Sequence, residues 1–359
     1  MSLAAYWRAL ANGRRNDLPA SLVRAMLVPP SLAYALLQRL RAGLYRAGVL
    51  KTRRLPRPVI SIGNIAVGGT GKTPVTAYIA RLLLAQGLRV AVLSRGYGGS
   101  CEGQEIVVSD GNEIFLSVNE CGDEPFLLAR TVPGLMVIIG SDRHAAGLLA
   151  IERLNPDIFL LDDGFQHLRL HRDLNILLLD YARPFGNGWG LPAGLLREPK
   201  SAALRADLVI HTRCPDVTVV SATVPDRPHC CARHLLGDAI PLAGGEPFGL
   251  DALRGKKLLA FAGIAEPEAF FEGLHSHGLN LVATINFPDH AVYDAAALHE
   301  ITDIFRTSGA DVAIMTEKDG VKLTALPQVL AEKTVLARLD LTLDDPTPLT
   351  ALLRNLLQK

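Results

Sequence analysis

Residues Ser61–Thr76, which read SIGNIAVGGTGKTPVT, indicate how the first half of the chain folds. β-branched residues from Val59 to Ile62 predict a buried strand, and apolar residues at helical spacing predict a helix from Val75 onward. Glycines between the two let backbone N–H groups turn inward as an anion nest, to which the helix adds its positive N-terminal end. This order of strand, loop and helix predicts a phosphate-binding loop of Gly68, Gly69, Thr70, Gly71, Lys72 and Thr73.

The two residues that close the loop have the side chains that nucleotide phosphates require. We expect Lys72 to reach the terminal phosphates and the Thr73 hydroxyl to join a magnesium shell. The pattern G-x-x-x-x-G-K-[ST] is missed at one position, because Ala66 stands where the first glycine is usual. The alternative is a glycine turn followed by a chance Lys-Thr pair.

The length and the cysteine usage predict a cytosolic protein of about two domains. The chain has 359 residues, 49% of them hydrophobic, which is long for one domain. It shows no secretory leader, and its five cysteines form no C-x-x-C pair, so we expect reduced thiols and neither a disulfide framework nor a zinc site. The cysteines are Cys101, Cys121, Cys214, Cys230 and Cys231.

The charge is distributed unevenly along the chain. Residues 1–58 have eleven Arg and Lys against a single acid, Asp17, or +10, and the remainder carries −9. Residues 20–50 are apolar with flanking arginines, and Pro29 and Pro30 are expected to break them into two pieces too short to span a bilayer. Such a segment suits an amphipathic helix in the headgroup layer of an anionic membrane. The alternative is a helix packed on the core; nucleic acid is disfavoured, since no recognition motif is present.

Short apolar segments alternate with helical ones along the rest of the chain, as in a three-layer α/β fold. We predict a P-loop NTPase-like, mostly parallel sheet followed by a second, smaller α/β domain. The predicted divisions are 1–55, a basic amphipathic segment, 56–213, a nucleotide-binding and catalytic domain, and 214–359, a domain that closes the cleft. The predicted strands are Val59–Ile62, Val90–Leu93, Leu135–Ile139, Ile158–Leu161, Leu174–Leu179, Leu208–Ile210, Leu258–Ala262, Leu281–Ile285, Val312–Met315 and Val335–Leu339.

Polar residues that directly follow strands are the candidates for a binding site, because ligands of such sheets lie beyond the carboxyl ends of the strands. Asp162 and Asp163 follow an apolar strand, where a Walker B acid would hold magnesium; the alternative is a capping or turn role. Asp123 and Glu124 open a helix, where acids are common, so spacing alone leaves their role open. The basic and amide candidates at such positions are Arg95, Arg143 and Gln166.

Several motifs in a fixed order give the chain a family resemblance. They are GNIAVGGTGKTP, SRGYGG, GDEP, SDR, LDDGFQH, LPAGLLREP, FPDH and TEKDGVK, from about residue 56 to 323. In this set the chain resembles the tetraacyldisaccharide 4′-kinases, the lipid A 4′-kinase family. The resemblance implies phosphorylation of the 4′-hydroxyl of tetraacyldisaccharide 1-phosphate with ATP and Mg²⁺. It also implies work at the cytoplasmic face of the bacterial inner membrane, as a peripheral or monotopic protein without an obligate protein partner.

The resemblance also implies roles for individual residues. Asp123 is implied as the residue that activates the sugar hydroxyl, and His290 of the FPDH segment as its support. Ala291 stands where a second histidine is common in the family, so His290 alone is expected to support Asp123. Magnesium contacts are implied for Thr73, Glu124, Asp162 and Asp163. Contacts to phosphate groups or substrate are implied for Lys72, Arg95, Arg143, Gln166 and Arg197.

Two other function classes are compatible with a phosphate loop. A P-loop GTPase would need an N/T-K-x-D motif, which Glu317-Lys318-Asp319 echoes without the Asn and the spacing; we expect a structural ion-pair role for that turn. A non-catalytic nucleotide-binding membrane adaptor would need neither Asp123 nor His290. Turnover of ATP with the lipid distinguishes all three classes.

Overall fold

The computed structural model describes residues 3–13, 15, 17–215, 222–323 and 326–358. In these ranges thirteen strands belong to one sheet. The strands are β1 (Val59–Gly63), β2 (Val90–Ser94), β3 (Ile106–Asp110), β4 (Met136–Ile139), β5 (Ile158–Asp162), β6 (Leu174–Asp180), β7 (Leu208–Thr212), β8 (His229–Pro241), β9 (Phe248–Gly249), β10 (Lys257–Ala262), β11 (Asn280–Asn286), β12 (Val312–Thr316) and β13 (Thr334–Leu343). The helices are α1 (Leu3–Ala11), α2 (Leu18–Arg46), α3 (Lys72–Leu84), α4 (Val118–Cys121), α5 (Asp123–Thr131), α6 (Arg143–Leu154), α7 (Pro267–Ser276), α8 (Ala295–Thr307), α9 (Glu317–Gly320), α10 (Gln328–Ala331) and α11 (Thr347–Leu357).

The sheet is mostly parallel, which confirms the predicted fold class. Its order is β11-β10-β12-β13-β8-β7-β6-β1-β5-β2-β4-β3, with β9 paired to β8. Neighbours run parallel except at three pairs, β3–β4, β8–β9 and β8–β13. Strand β1 lies between β5 and β6 and places Ile62 beside Asp162. The phosphate loop after β1 and the acids after β5 therefore emerge at the same edge of the sheet.

Helices cover both faces of the sheet, as a three-layer architecture requires. Successive residues of a strand point to opposite faces. Ile60 and Ile62 of β1 accordingly pack in one core cluster with residues of α3, α5 and α11. Val59 packs on the other face with Ala146 and Ala150 of α6. The strands β10 and β12 are likewise covered by α7 on one face and α8 on the other.

The N-terminal segment differs from its prediction. Helix α2 runs without interruption from Leu18 to Arg46, with Pro29 and Pro30 inside it, so the prediction of two pieces is wrong. Each proline removes one backbone hydrogen bond, but its fixed φ is compatible with a helix. The Ser31 hydroxyl donates to the Leu27 carbonyl at 2.8 Å and accepts from the Ala193 N–H at 2.8 Å, which ties this part of the helix to the domain.

Most of α2 is exposed. Within this fully described helix two residues are buried, Ala20 and Ser31. By length and composition alone α2 is apolar enough to cross a membrane, and 11% of its most apolar window is buried. Large apolar side chains lie on its outer surface: Leu18, Leu22, Val23, Met26, Leu32, Leu36, Leu37 and Leu40. The alternative of a helix packed mainly on the core is therefore not what these residues show.

Strand β8 extends the sheet across the predicted domain boundary at residues 213/214. Its first residues pair with β7, and its later ones pair with β13 over a long antiparallel register. The sheet is thus continuous between the two halves, and the predicted division into domains stays a prediction.

Candidate active site

The phosphate loop has the backbone shape that its glycines permit. Gly71 caps the N-terminus of α3 with φ of +71°, and Gly68 has φ of +124°, values that side chains disfavour. The Asn64 side-chain amide donates to the Thr70 hydroxyl at 2.8 Å inside the loop. Lys72 follows with a side chain only 11% exposed, and its Nζ lies 3.9 Å from Asp163 Oδ1. The loop and the first turn of α3 therefore present amide groups and one cation to the cleft.

The two acids after β5 lie in different environments. Asp162 is buried and accepts a hydrogen bond from the Thr76 hydroxyl at 3.1 Å. Burial and the nearby Glu124 carboxylate raise the pKa of Asp162. Burial would also raise the pKa of Asp163, but Lys72 and Arg197 outweigh it and lower that pKa. Arg197 donates to Asp163 Oδ2 at 2.8 Å.

A carboxylate and an imidazole from distant parts of the chain form a dyad. Asp123 begins α5, and His290 lies in the loop between β11 and α8. His290 Nδ1 is 3.0 Å from Asp123 Oδ2 and 3.2 Å from Oδ1, so Nδ1 is the donor. Burial would raise the pKa of Asp123, but this hydrogen bond and the charge of Lys318 outweigh it and lower the pKa to about 2. The hydrogen bond raises the pKa of His290 against the effect of its burial.

Two lysines beside the dyad were not predicted as site residues. Lys318 Nζ lies 3.7 Å from carboxylate oxygens of Asp123, Glu124 and Asp289. Burial would lower the pKa of Lys318, but these carboxylates raise it. Lys322 Nζ is 3.9 Å from Asp123 and 2.9 Å from the fully buried Asp319. The predicted ion-pair turn thus makes ion pairs with Asp123 of the dyad and with the neighbouring Glu124 and Asp289, and the position of TEKDGVK after β12 is the signal for it.

One cleft of about 1800 Å³ joins these parts. The phosphate loop, the two acids after β5 and His290 all line it, and so do Tyr34, Gln38 and Arg41 of α2. The Tyr34 hydroxyl donates to the Arg197 carbonyl at 2.9 Å, which fixes α2 to the rim. The cleft therefore runs from the loop to the exposed apolar helix.

The remaining predicted residues line the same cleft but differ in how they are held. Arg143 is buried and donates to the Gly140 carbonyl. Burial lowers its pKa to about 10. Arg95 is largely exposed and pairs with Glu102 at 3.1 Å. The Gln166 amide donates to the Asn64 carbonyl at 2.6 Å, so it braces the start of the phosphate loop.

The family model described as LpxK, tetraacyldisaccharide-1-P 4′-kinase, matches residues 23–358. The chain belongs to the tetraacyldisaccharide 4′-kinase family. A family member from Pelobacter propionicus is 63% identical over 100% of this chain and 99% of its own length. One from Geobacter sulfurreducens is 53% identical over 99% of this chain and 100% of its own length.

A solved structure of a tetraacyldisaccharide 4′-kinase family member has the same fold. LpxK from Aquifex aeolicus, crystallised in complex with ATP, matches with a TM-score of 0.79 and 33% identity. The match covers 93% of this chain and 99% of the other. The predicted family and kinase class are confirmed, and the GTPase and adaptor alternatives are not favoured.

Proposed function

We propose that this chain transfers the γ-phosphoryl group of ATP to the 4′-hydroxyl of tetraacyldisaccharide 1-phosphate. The observation that carries the proposal is the Asp123–His290 dyad, whose imidazole lines the same cleft as the phosphate loop. A protein that only binds nucleotide needs the loop but has no use for an ionised, buried carboxylate held by a histidine of the same cleft. Family membership supports the choice of lipid and hydroxyl.

In this proposal Asp123 takes the proton of the attacking hydroxyl. A sugar hydroxyl is a weak acid, so a carboxylate within hydrogen-bond reach must accept its proton as transfer proceeds. The low pKa of Asp123, about 2, keeps it ionised at neutral pH. His290 orients the carboxylate through Nδ1, and Lys318 holds it from a second side at 3.7 Å. Phosphoryl transfer otherwise needs positioning and neutralised oxygen charge, which Lys72, Arg143 and Arg197 would supply.

The residues at the predicted magnesium site fit that ion. Mg²⁺ in such enzymes is held by one or two carboxylates together with phosphates and water. Among the described residues no three His, Cys, Asp or Glu side chains form a metal site by themselves. A magnesium ion held by one or two carboxylates together with phosphates does not need such a group. Asp163 Oδ1 is buried without a hydrogen bond from any described residue. Thr73, Glu124, Asp162 and Asp163 line the cleft there, and bound Mg²⁺ would offset phosphate charge.

Substrate and nucleotide choice test the proposal directly. Purified protein with Mg²⁺ should transfer phosphate from ATP to tetraacyldisaccharide 1-phosphate, with little transfer from GTP. Mass spectrometry of the lipid should show one added phosphate at the 4′ position. Equal nucleotide hydrolysis with and without lipid, and no phosphorylated lipid, would contradict the proposal and favour an NTPase.

We infer that α2 binds the cytoplasmic surface of the inner membrane, so that the lipid enters the cleft from the bilayer. The helix exposes a row of large apolar side chains, and residues 1–58 carry a charge of +10. Apolar burial and attraction to anionic lipid act together in such helices. The same helix lines the cleft with Gln38 and Arg41, which gives the headgroup a short path to the phosphate loop.

Charged substitutions on the apolar surface should release the protein from membranes. Met26 and Leu36 are 79% and 67% exposed, so Met26→Glu with Leu36→Glu should cost little stability but remove about 3–6 kcal/mol of apolar burial in lipid. Sedimentation with anionic vesicles should show the loss. Leu148→Glu, at an apolar position of α6 that is 46% exposed, serves as the matched control. Unchanged sedimentation of the double variant would contradict the inference.

A further inference from the structure

Arg213 lies directly after β7, outside the set of residues predicted for the site, and contacts three segments at once. Its Nη2 donates to the carbonyl of Gly69 in the phosphate loop at 2.7 Å. The same nitrogen lies 2.9 Å from Asp180 Oδ2 at the end of β6. Its Nη1 pairs with Glu266, in the loop after β10. A guanidinium has enough N–H groups to make all three contacts together.

The contact with Gly69 fixes the direction of a loop amide. In a trans peptide the carbonyl of one residue and the N–H of the next point in opposite directions. Because Arg213 holds the Gly69 carbonyl, the Thr70 N–H is directed away from Arg213. The Thr70 side chain is held separately by Asn64 at 2.8 Å. This peptide is therefore fixed at both ends, and its N–H is left to serve as a phosphate donor.

The backbone at Arg213 supports a functional reason for the contact. Arg213 has φ of +61°, in the left-handed region that favours glycine. Non-glycine residues persist there when the surrounding contacts hold them, and such residues cluster at functional sites. An arginine at a position that glycine would occupy without strain indicates that the side chain is needed.

The phosphate loop is contacted from the same side by β8. The imidazole of His234 occupies the space where a side chain on Gly71 would begin. Ala265, next to Glu266, lies 3.3 Å from the corresponding position on Gly69. The loop thus packs against elements that follow β7 in the chain, and Arg213 is the charged group that connects them.

We propose that Arg213 is a positioning residue that holds the phosphate loop in its nucleotide-binding conformation. It acts on the Gly69–Thr70 peptide and couples it to Asp180 and Glu266, and it takes no part in proton transfer. The ligand in question is ATP with Mg²⁺, so the inference rests on the proposed function.

Two substitutions of Arg213 separate positioning from folding. Arg213→Met removes the guanidinium, and Arg213→Gly removes it while relieving the backbone strain. Calorimetric titration with Mg²⁺ and a non-hydrolysable ATP analogue should give a dissociation constant raised on the order of tenfold in both, because a charge-assisted hydrogen bond to the loop is lost. The KM for the lipid should stay within about twofold, since Arg213 does not contact the dyad.

Arg254→Met is the matched control. Arg254 also pairs with a carboxylate, Asp251 at 2.9 Å, and donates to a carbonyl, that of His277 at 3.1 Å, but it does not line the cleft. An analogue affinity within twofold of the parent in folded Arg213→Gly would overturn the inference, and so would an equal loss in Arg254→Met. If the parent chain bound no analogue, the proposed function itself would fail. Thermal unfolding of each variant shows whether it is folded at the temperature of the titration, so that a lost affinity is not mistaken for a lost fold.

Discussion

Replacing Asp123 by Ala should lower kcat for lipid phosphorylation by about 10²–10⁴-fold, the usual contribution of a general base. The carboxylate is 8% exposed and lies 3.0 Å from His290 Nδ1, so bulk water would not readily replace it as the proton acceptor. The KM for ATP should change little, because the side-chain ion pairs of Asp123 are made with His290, Lys318 and Lys322. Steady-state kinetics with both substrates varied would measure the two effects separately.

Asp123→Asn is the informative companion of this variant. It keeps the shape of the side chain and its contact with His290 but cannot take a proton, so it should lose about as much kcat as Asp123→Ala. Asp303→Asn, at an exposed position of α8, controls for the loss of one carboxylate. A raised KM with an unchanged kcat in both Asp123 variants would show that the residue binds substrate and is not the base.

The sequence predicted most strands in the first half of the sheet closely, for a physical reason, but it missed the edge strand β3. Strands buried on both faces are nearly continuous runs of branched apolar residues, and β1, β2 and β5 begin at the residues predicted for them. The same rule could not find β8, whose residues vary between buried, intermediate and exposed. Its polar residues are stabilised by pairing with β7, β9 and β13, which is tertiary information.

At the prolines of α2 the sequence predicted a break that the structure does not have. Local rules treat Pro29 and Pro30 as a helix break, and the pattern therefore predicted two short pieces. The helix Leu18–Arg46 continues past the prolines because Ser31 and Tyr34 form hydrogen bonds with Ala193 and Arg197. These partners are more than 160 residues away in the sequence. No local pattern encodes them.

The candidate site likewise contains residues that local spacing predicts and residues that only tertiary contacts bring together. The phosphate loop and the acids after β5 follow from local spacing, because strand, loop and helix must occur in that order. His290 is 167 residues from Asp123, and only the family resemblance pointed to it. Local rules interpret Lys318 as part of a structural turn, because charged turns after strands are common. Its contacts with Asp123 and Glu124 depend on how α9 packs against α5.

Replacing Lys72 by Ala should reduce phosphate transfer by about 10²–10³-fold at saturating ATP, as when one preorganised donor to developing charge is lost. The ammonium group is 11% exposed and faces the cleft beside Asp163, so water would replace its charge poorly. Folding should survive the change, because Arg197 still pairs with Asp163 at 2.8 Å. Single-turnover transfer to the lipid and thermal unfolding would measure the two expectations.

Lys72→Arg and Lys256→Ala make the comparison specific to position and shape. Arginine keeps the charge but presents a planar fork in place of a compact ammonium group, so it should restore only part of the rate. Lys256 is an exposed lysine before β10, and its loss should leave the rate unchanged. A Lys72→Ala enzyme as fast as its parent at saturating ATP would contradict the kinase proposal, because the loop would then not hold the transferred phosphate.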